Sequence, residues 1–241
     1  AKYVIVRSTN SSAGKGLFSD ILAFLCRPFV SLLSNVSFAP SIEAGIWLFG
    51  KNAYKKNKIQ VIHNGIDTYR YKYSEIDRKK MRSEYGFLDS DIVLGHTGRF
   101  SKQKNHKFLI DVFEKYLVLN KNAYLLLIGK GETYDEIRQI VEKRDLSNKV
   151  IFAGERTDIA YQLMGMDLFV FPSLYEGLPN SVLEAQVSGL RCILSDSITR
   201  ETNITGNVYF MSLADGASAW AKEVDDLSLY DREDKGHLIN E

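Results

Sequence analysis

A regular alternation of apolar strand segments and amphipathic helix segments between Asp91 and Leu194 most constrains the fold of this chain. The strand segments are almost wholly apolar, which is typical of parallel strands that helices cover on both faces. The alternation predicts a doubly wound parallel sheet. Strands are predicted at 92–96, 123–128, 150–153, 168–171 and 192–194, and helices at 105–119, 134–144, 158–164 and 182–188.

The flanking segments extend this α/β pattern. Upstream, strands are predicted at 3–6, 36–39 and 59–62, and helices at 17–33 and 41–49. Downstream, a strand is predicted at 208–211 and a helix at 214–227. The Asn64-Gly65 pair is a turn signal, and we interpret the polar residues 68–80 as a surface connection. We therefore predict a partial first α/β domain at 1–66, a second domain at 67–227 and a charged tail at 228–241.

Composition narrows the range of partners. Thirty-one basic residues balance thirty acidic ones, so no global field attracts nucleic acid, and we expect no nucleic-acid partner. Cys26 and Cys192 lie far apart without other ligands at metal spacing, which predicts buried thiols rather than a disulfide or a zinc site. The first residues read as a strand rather than a secretory signal, so we expect a cytoplasmic chain that begins within a domain.

Residues 17–38 are the most apolar stretch of the chain. Asp20 and Arg27-Pro28 interrupt it, so it falls short of the roughly 20 apolar residues that a membrane span needs. We predict a buried helix that breaks near Pro28. The alternative is peripheral contact of its Phe-rich and Leu-rich face with a membrane surface.

The segment from Tyr175 to Ala185 places two carboxylates, Glu176 and Glu184, across a junction between a loop and a helix. Glu176 follows the predicted strand 168–171, and ligands of open α/β sheets bind at that edge. Ser181 is the predicted helix cap, so the amides of 177–182 lie where a helix N-terminus attracts phosphate. A capping box between Ser181 and Glu184 is the simpler alternative, but it leaves Glu176 unexplained.

A basic loop follows the first strand of the second domain. Gly98, Arg99 and Lys104 are placed there at the ligand edge of the sheet. Arginine offers a planar fork to phosphate oxygens and lysine a mobile point charge, a combination suited to a diphosphate. A solvated basic loop is the alternative.

Two further features carry less weight. The turn Gly129-Lys130-Gly131 is weak evidence for nucleotide binding, because any tight turn favours glycine. The four histidines show neither metal spacing nor pairing with a nucleophile, and we interpret them as structural. They are His63, His96, His106 and His237.

Taken in order, these motifs resemble those of the group 1 retaining glycosyltransferases of the GT-B fold. The likeness runs from about Ile59, since the segment 61–67 is similar to the family's crossing from acceptor domain to donor domain. Enzymes of bacterial capsular and exopolysaccharide synthesis are the most similar members. The motifs are Gly98-Arg99 with Lys104, Gly129-Lys130-Gly131, Phe171-Pro172-Ser173, Glu176-Gly177-Leu178-Pro179 and Glu184.

The resemblance implies a role for each motif. Arg99 and Lys104 would hold the donor diphosphate and act in the reaction together with Glu176, while Glu184 would hold the ribose hydroxyls. The remaining donor-binding positions are Gly98, Gly177, Leu178, Pro179, Asn180 and Ser181.

The resemblance also implies the reaction. A sugar would pass with retention from a nucleoside-diphosphate donor, expected to be UDP-linked, to a lipid-linked or saccharide acceptor at the inner membrane face. No metal or other cofactor is expected, because the two cations and the helix N-terminus would stabilise the leaving diphosphate.

Two departures from the family pattern keep alternatives open. The family's first domain has a front half with a glycine-rich loop, which would precede Ala1. Related enzymes often carry His-Ser-His-Asn at a strand end where this chain has Arg7-Ser8-Thr9-Asn10. The alternatives are a non-catalytic nucleotide-sugar-binding or interaction module, and a sugar-nucleotide epimerase of the same fold.

Overall fold

The computed structural model describes residues 3–8, 17–229 and 232, which divide into two compact units. The first unit comprises the residues up to Gly65 together with Tyr175–Asn180 and Ser197–Thr202. The second comprises Ile66–Leu174, Ser181–Asp196 and the described residues from Asn203 onward. Most of the predicted tail at 228–241 lies outside the described residues.

The first unit contains a parallel three-stranded sheet in the order β1-β2-β3. Val6 pairs with Ser37, which in turn pairs with Ile59. Ser41 caps helix α2, and its side chain accepts from the Ala44 amide. The elements are β1 (Ile5–Arg7), α1 (Leu17–Leu33), β2 (Val36–Ala39), α2 (Ile42–Phe49), α3 (Lys51–Lys55) and β3 (Ile59–Val61).

The second unit contains a parallel six-stranded sheet in the order β6-β5-β4-β7-β8-β9, as the apolar strand segments predict. The chain adds strands on one side of β4 and then on the other, so the switch of direction lies between β4 and β7. Ligand crevices of such sheets form at the carboxyl ends of the strands at this point. The strands are β4 (Ile92–Thr97), β5 (Ala123–Ile128), β6 (Val150–Gly154), β7 (Leu168–Phe171), β8 (Arg191–Ser195) and β9 (Val208–Met211).

Helices cover both faces of this sheet. Helix α5 buries Leu109, Val112, Phe113 and Tyr116, and α9 adds Trp220 to the same core. The helices of the second unit are α4 (Glu75–Tyr85), α5 (His106–Leu119), α6 (Tyr134–Lys143), α7 (Ile159–Met164), α8 (Asn180–Val187) and α9 (Gly216–Ser228).

Helix α4 corrects the interpretation of 68–80 as a surface connection. The helix begins after Ser74, whose side chain accepts from the Asp77 amide, and ends at Gly86 with a positive φ of 74°. Its sequence shows no apolar stripe, because only one of its two most deeply buried side chains, Met81, is apolar. The other is the charged side chain of Arg82. The helix was therefore predictable from its caps but not from its hydrophobic pattern.

Helix α1 departs from the prediction in two respects. It continues through Pro28 without ending, and those of its apolar side chains that the structure describes are largely exposed rather than buried. Val30 packs against the core of the first unit, whereas the apolar side chains Phe24, Leu25, Phe29, Leu32 and Leu33 are 60–81% exposed. Among the described residues, no helix combines the length and apolar character that crossing a bilayer requires.

The two cysteines also differ. Cys192 is buried in β8, as predicted, and burial raises the pKa of its thiol. Cys26 is exposed on α1, so the prediction of a buried thiol is wrong there. Cys26 is exposed because it lies beside Phe24 and Leu25 on an exposed part of α1.

A buried network around Arg82 ties α4 to the sheet of the second unit. The side chain is 1% exposed, and its Nη1 donates to Asp167 Oδ2 at 3.0 Å. Its Nη2 donates to the carbonyl of Asp91 at 2.6 Å. Asp167 also accepts from Arg78 at 2.6 Å and from the Val93 amide at 2.7 Å. Each buried charge therefore has charged and hydrogen-bonding partners, as burial of an ion requires.

Arg82→Met tests how far the second unit depends on this network. The variant keeps an unbranched apolar stem but leaves Asp167 short of one cation, so we expect it to lower the free energy of unfolding by about 3 kcal/mol. Urea denaturation measures the change. The matched control is Arg138→Met, which removes an exposed pair with Glu142 and should cost less than about 0.5 kcal/mol. Equal effects of the two substitutions would contradict the prediction.

Candidate functional site

The carboxyl end of β4 brings three of the predicted site residues together in the second unit. Gly98 follows β4 directly, Arg99 comes next, and Lys104 ends a short 3-10 helix, Lys102–Lys104. A Cβ added at Gly98 would lie 3.3 Å from Lys104 Cε and 3.3 Å from His96 Nε2. The absence of a side chain at Gly98 therefore gives the Lys104 stem its place beside His96.

The turn Gly129-Lys130-Gly131 packs directly against this loop. A Cβ at Gly129 would lie 2.1 Å from the Gly98 carbonyl oxygen, and one at Gly131 would lie 2.2 Å from the Phe100 carbonyl oxygen. Both glycines also have positive φ, 137° and 159°. Backbone approach at these distances leaves no room for a Cβ, so the two glycines position the basic loop.

Arg99 and Lys104 have different surroundings. Arg99 Nε lies 3.1 Å from Glu132 Oε2, and the two side chains are 75% and 56% exposed. An ion pair in water contributes little to stability, so a diphosphate could replace Glu132 at small cost. Lys104 Nζ lies 4.4 Å from the centroid of the Phe171 ring, and this cation–π contact orients the ammonium.

Two histidines are buried beneath this loop. His96 Nδ1 lies 2.8 Å from the Val170 carbonyl, so Nδ1 carries the proton in the neutral ring. His106 stacks on Phe100 with ring centroids 4.0 Å apart. Burial is the main cause that lowers the pKa of His96 to about 4 and that of His106 to about 2, and the nearby Lys104 charge contributes to both shifts. Both rings are therefore neutral at pH 7 and do not repel the ammonium of Lys104.

Glu184 lies half-buried in α8 of the same unit. Its carboxylate accepts a hydrogen bond from the hydroxyl of Tyr71, a residue that sequence reasoning missed. Burial raises the pKa of Glu184, and the hydrogen bond from Tyr71 opposes that rise. Burial, with the Glu184 charge next, raises the pKa of Tyr71 to about 12. The only feature of the sequence that could have pointed to Tyr71 is its position as an aromatic residue in the polar stretch 68–80.

The helix start corrects one predicted role. Helix α8 begins at Asn180, so Ser181 lies inside its first turn and is not the cap. The capping box between Ser181 and Glu184 is therefore wrong as well. The Glu184 carboxylate is hydrogen-bonded to Tyr71 and does not cap helix α8.

The remaining predicted residues belong to the segment Tyr175–Asn180 of the first unit. Glu176 is only 7% exposed, Gly177, Leu178 and Pro179 are also buried, and Asn180 is exposed. Asn64 holds this segment, since its Nδ2 donates to the Leu178 carbonyl at 3.2 Å and to Asn180 Oδ1 at 2.6 Å. Sequence reasoning assigned Asn64 to a turn and missed this role.

The predicted site residues are thus distributed over the two units. Glu176 to Asn180 lie in the first unit, and Gly98, Arg99, Lys104, Ser181 and Glu184 lie in the second. Within the part of the chain that the structure describes, no three His, Cys, Asp or Glu side chains are grouped to hold a metal ion. The roles of the individual residues remain predictions.

Comparison with known proteins identifies relatives for most of the chain. The family model described as glycosyl transferases group 1 matches residues 91–229. The putative glycosyltransferase EpsF of Bacillus subtilis is 33% identical over 183 residues, covering 76% of this chain and 48% of that protein. The Escherichia coli UDP-Gal:alpha-D-GlcNAc-diphosphoundecaprenol alpha-1,3-galactosyltransferase is 32% identical over 62% of this chain and 38% of its own length. The chain therefore spans about half, or less, of the length of these curated relatives.

Solved structures share the fold. The crystal structure of Anabaena HepE in complex with UDP aligns over 99% of this chain and 66% of its own, with a TM-score of 0.78 and 18% identity. The structure of WaaG, a glycosyltransferase involved in lipopolysaccharide biosynthesis, aligns over 85% of this chain and 58% of its own, with a TM-score of 0.70 and 18% identity. At this identity the likeness concerns the fold alone, and it confirms the predicted α/β architecture with parallel sheets.

His106→Phe tests the burial of a neutral imidazole beneath the basic loop. The folded-state pKa of about 2 lies below the ordinary value of 6.5, so the stability that His106 provides is present above pH 6.5 and is lost as the pH falls towards 2. Phenylalanine does not titrate and should keep the stack on Phe100. Urea unfolding should therefore favour the variant by roughly 2 kcal/mol more at pH 5 than at pH 8. A difference that does not change with pH would contradict the prediction.

Proposed function

Because the chain belongs to the group 1 glycosyl transferases and has their GT-B fold, we propose that it carries the donor side of a UDP-sugar transferase. In this proposal the sugar passes with retention to a lipid-linked or saccharide acceptor in bacterial surface polysaccharide synthesis. The observation that carries the proposal is the grouping of Gly98, Arg99 and Lys104 at the carboxyl end of β4, where the strand order switches. The names of two relatives add support, since one includes UDP-Gal as donor and another is a Vi polysaccharide biosynthesis protein.

The proposed chemistry assigns the diphosphate to the basic loop. Arg99 would exchange its exposed partner Glu132 for phosphate oxygens and offer a planar fork of donors. Lys104, held over the Phe171 ring, would add a charge that stabilises the leaving diphosphate as the glycosidic bond breaks. No metal is required in this proposal, because the two cations already neutralise the charge that develops.

Glu184 extends the proposed donor site within the second unit. A carboxylate accepts hydrogen bonds from two adjacent hydroxyls, so Glu184, held by Tyr71, would bind the ribose. Glu176 and the amides from Gly177 to Asn180 would bind the sugar. Retention would follow from attack of the acceptor on the face from which the diphosphate leaves.

A non-catalytic nucleotide-sugar-binding or interaction module is the second candidate. One observation favours it, namely that Arg7 stands where related enzymes often carry histidine. Transfer activity measured with a labelled donor separates the two candidates. A changed sugar without any acceptor would instead indicate an epimerase.

Peripheral contact with the inner face of the plasma membrane is part of the proposal. Helix α1 exposes apolar side chains, among them Phe29, which is 65% exposed, and Leu32, which is 81% exposed. Arg27 lies on the same helix, and exposed Lys51 and Lys55 lie on α3 of the same unit. Apolar side chains together with cations are the combination that binds an anionic lipid surface, and such contact would bring a lipid-linked acceptor near the enzyme.

Calorimetric titration with UDP tests the donor site. We expect binding that is equal in magnesium and in EDTA. Lys104→Ala removes a cation that would face the diphosphate. Glu184→Gln removes the negative charge and replaces one of the two oxygens that would accept from the ribose hydroxyls by an NH₂ group. Each variant should therefore weaken binding about tenfold or more. Glu184→Gln should also reduce the preference for UDP over its 2′-deoxy analogue.

Lys107→Ala is the matched control, because Lys107 is an exposed lysine in the first turn of α5. Its affinity for UDP should equal that of the wild type. Unchanged affinity in both site variants would contradict the proposal, and so would the absence of UDP binding by the wild-type chain.

Flotation with liposomes tests the membrane contact. Vesicles containing about one-third anionic lipid should carry the chain upward, and Phe29→Ser combined with Leu32→Ser should abolish flotation. The matched control is Ile76→Ser combined with Leu88→Ser, which changes two side chains of the second unit with exposures of 68% and 66%. Equal loss of flotation in both double variants, or no flotation of the wild type, would exclude a specific contact through α1.

A further inference from the structure

A cavity lies at the carboxyl ends of all three strands of the first unit. Its volume is about 550 Å³, and Arg7, Phe38, His63, Asn64 and Asn180 are among the residues that line it. Arg7 ends β1 and Phe38 lies in β2. His63 and Asn64 follow β3, and Asn180 ends the segment Tyr175–Asn180. The open end of a parallel sheet is where α/β proteins bind ligands.

Arg7 gives this cavity a positive charge. Its Nη2 donates to Asn64 Oδ1 at 2.6 Å, and within the described residues no carboxylate lies within 4.0 Å of the guanidinium. A guanidinium has five N–H donors in a planar fork, so most of them remain available to a ligand. The geometry of that fork matches the oxygens of a phosphate or a carboxylate.

Asn64 and Asn180 extend the polar wall. Asn64 accepts from Arg7 and donates to Asn180 Oδ1 at 2.6 Å, so the three side chains form one chain of hydrogen bonds. This arrangement uses the carbonyl oxygen of the Asn180 amide and leaves its NH₂ group to donate elsewhere. Arg7 and Asn180 therefore both present donors at the cavity.

His63 adds an acceptor. Its Nδ1 lies 3.0 Å from the Pro40 carbonyl, which places the proton on Nδ1 and leaves Nε2 as an acceptor in the neutral ring. Glu201 lies 4.0 Å from Nδ1. Burial, and then a hydrogen bond with Glu43, raise the pKa of Glu201.

We propose that this cavity is the subsite for an anionic group on the acceptor, a phosphate or a carboxylate, with Arg7 as its cation. His63 Nε2 accepts from a neighbouring hydroxyl of the acceptor, and the Phe38 side chain provides an apolar wall. The inference rests on the proposed function for the identity of the ligand as an acceptor, whereas anion binding itself is measurable without turnover.

Two probes represent the two sources of such an anion. Methyl β-D-glucuronide carries a carboxylate on a sugar, and geranyl diphosphate carries phosphates on a short isoprenoid, with methyl β-D-glucoside as the uncharged comparison. Each is titrated against the full chain in the presence of saturating UDP, which occupies the proposed donor site. We expect at least one charged probe to bind, the glucoside not to bind, and Arg7→Gln to weaken the bound probe about tenfold.

Three further variants make the assignment specific. Arg7→Lys keeps the charge but not the fork and should retain part of the affinity, while Arg138→Gln, on an exposed arginine of α6, should retain all of it. Lys104→Ala should leave probe binding unchanged. Circular dichroism melting of each variant verifies that it folds.

The outcomes separate this inference from the proposed function. Binding that is equal in the wild type and Arg7→Gln, binding that depends on Lys104, equal binding of the glucoside, or no binding of either charged probe overturns the anionic subsite. UDP binding together with any of these results leaves the donor site intact. Arg7-dependent anion binding without UDP binding supports the subsite and contradicts the proposed donor.

Discussion

The pairing of Asp167 with Val93 determines where the ligand edge of the second unit forms. The Asp167 amide donates to the Val93 carbonyl at 2.8 Å, and its carboxylate accepts from the Val93 amide at 2.7 Å. Arg82 and Arg78 neutralise that carboxylate. Strand β7 is thereby fixed beside β4 although three helices and two strands, α5 to α7 with β5 and β6, intervene along the chain. The loops that follow β4 and β7 diverge at this pair of strands.

Much of the fold was predictable, because the strands of the second unit consist mainly of apolar residues, as buried strands do. β5, β7 and β9 have the predicted bounds, since an apolar run bounded by turn residues has few alternative placements. Helix α4 was missed because it buries Arg82, a side chain that reads as solvent-exposed in a sequence. The exposure of α1 could not be predicted either, because its apolar residues fit a buried helix equally well.

The site was predictable where chemistry is local in sequence and not where it depends on distant partners. Gly98, Arg99 and Lys104 follow one strand, so residue type and spacing were sufficient to bring them together. Tyr71 and Asn64 act on residues more than one hundred positions away, Glu184 and Asn180. No periodicity links such pairs, and the hydrogen bonds that join them appear only once the chain has folded.

The contact of Gly129 and Gly131 with the loop after β4 has a consequence for how the second unit tolerates sequence change. Two backbones that touch without intervening side chains have a separation set by van der Waals contact and main-chain hydrogen bonds, such as that from the Phe100 amide to the Lys130 carbonyl at 2.9 Å, and not by side-chain rotamers. The basic loop is thereby insulated from the repacking that accompanies substitutions in the surrounding core. A chain can diverge widely in its interior and still present its cations from the same position in space.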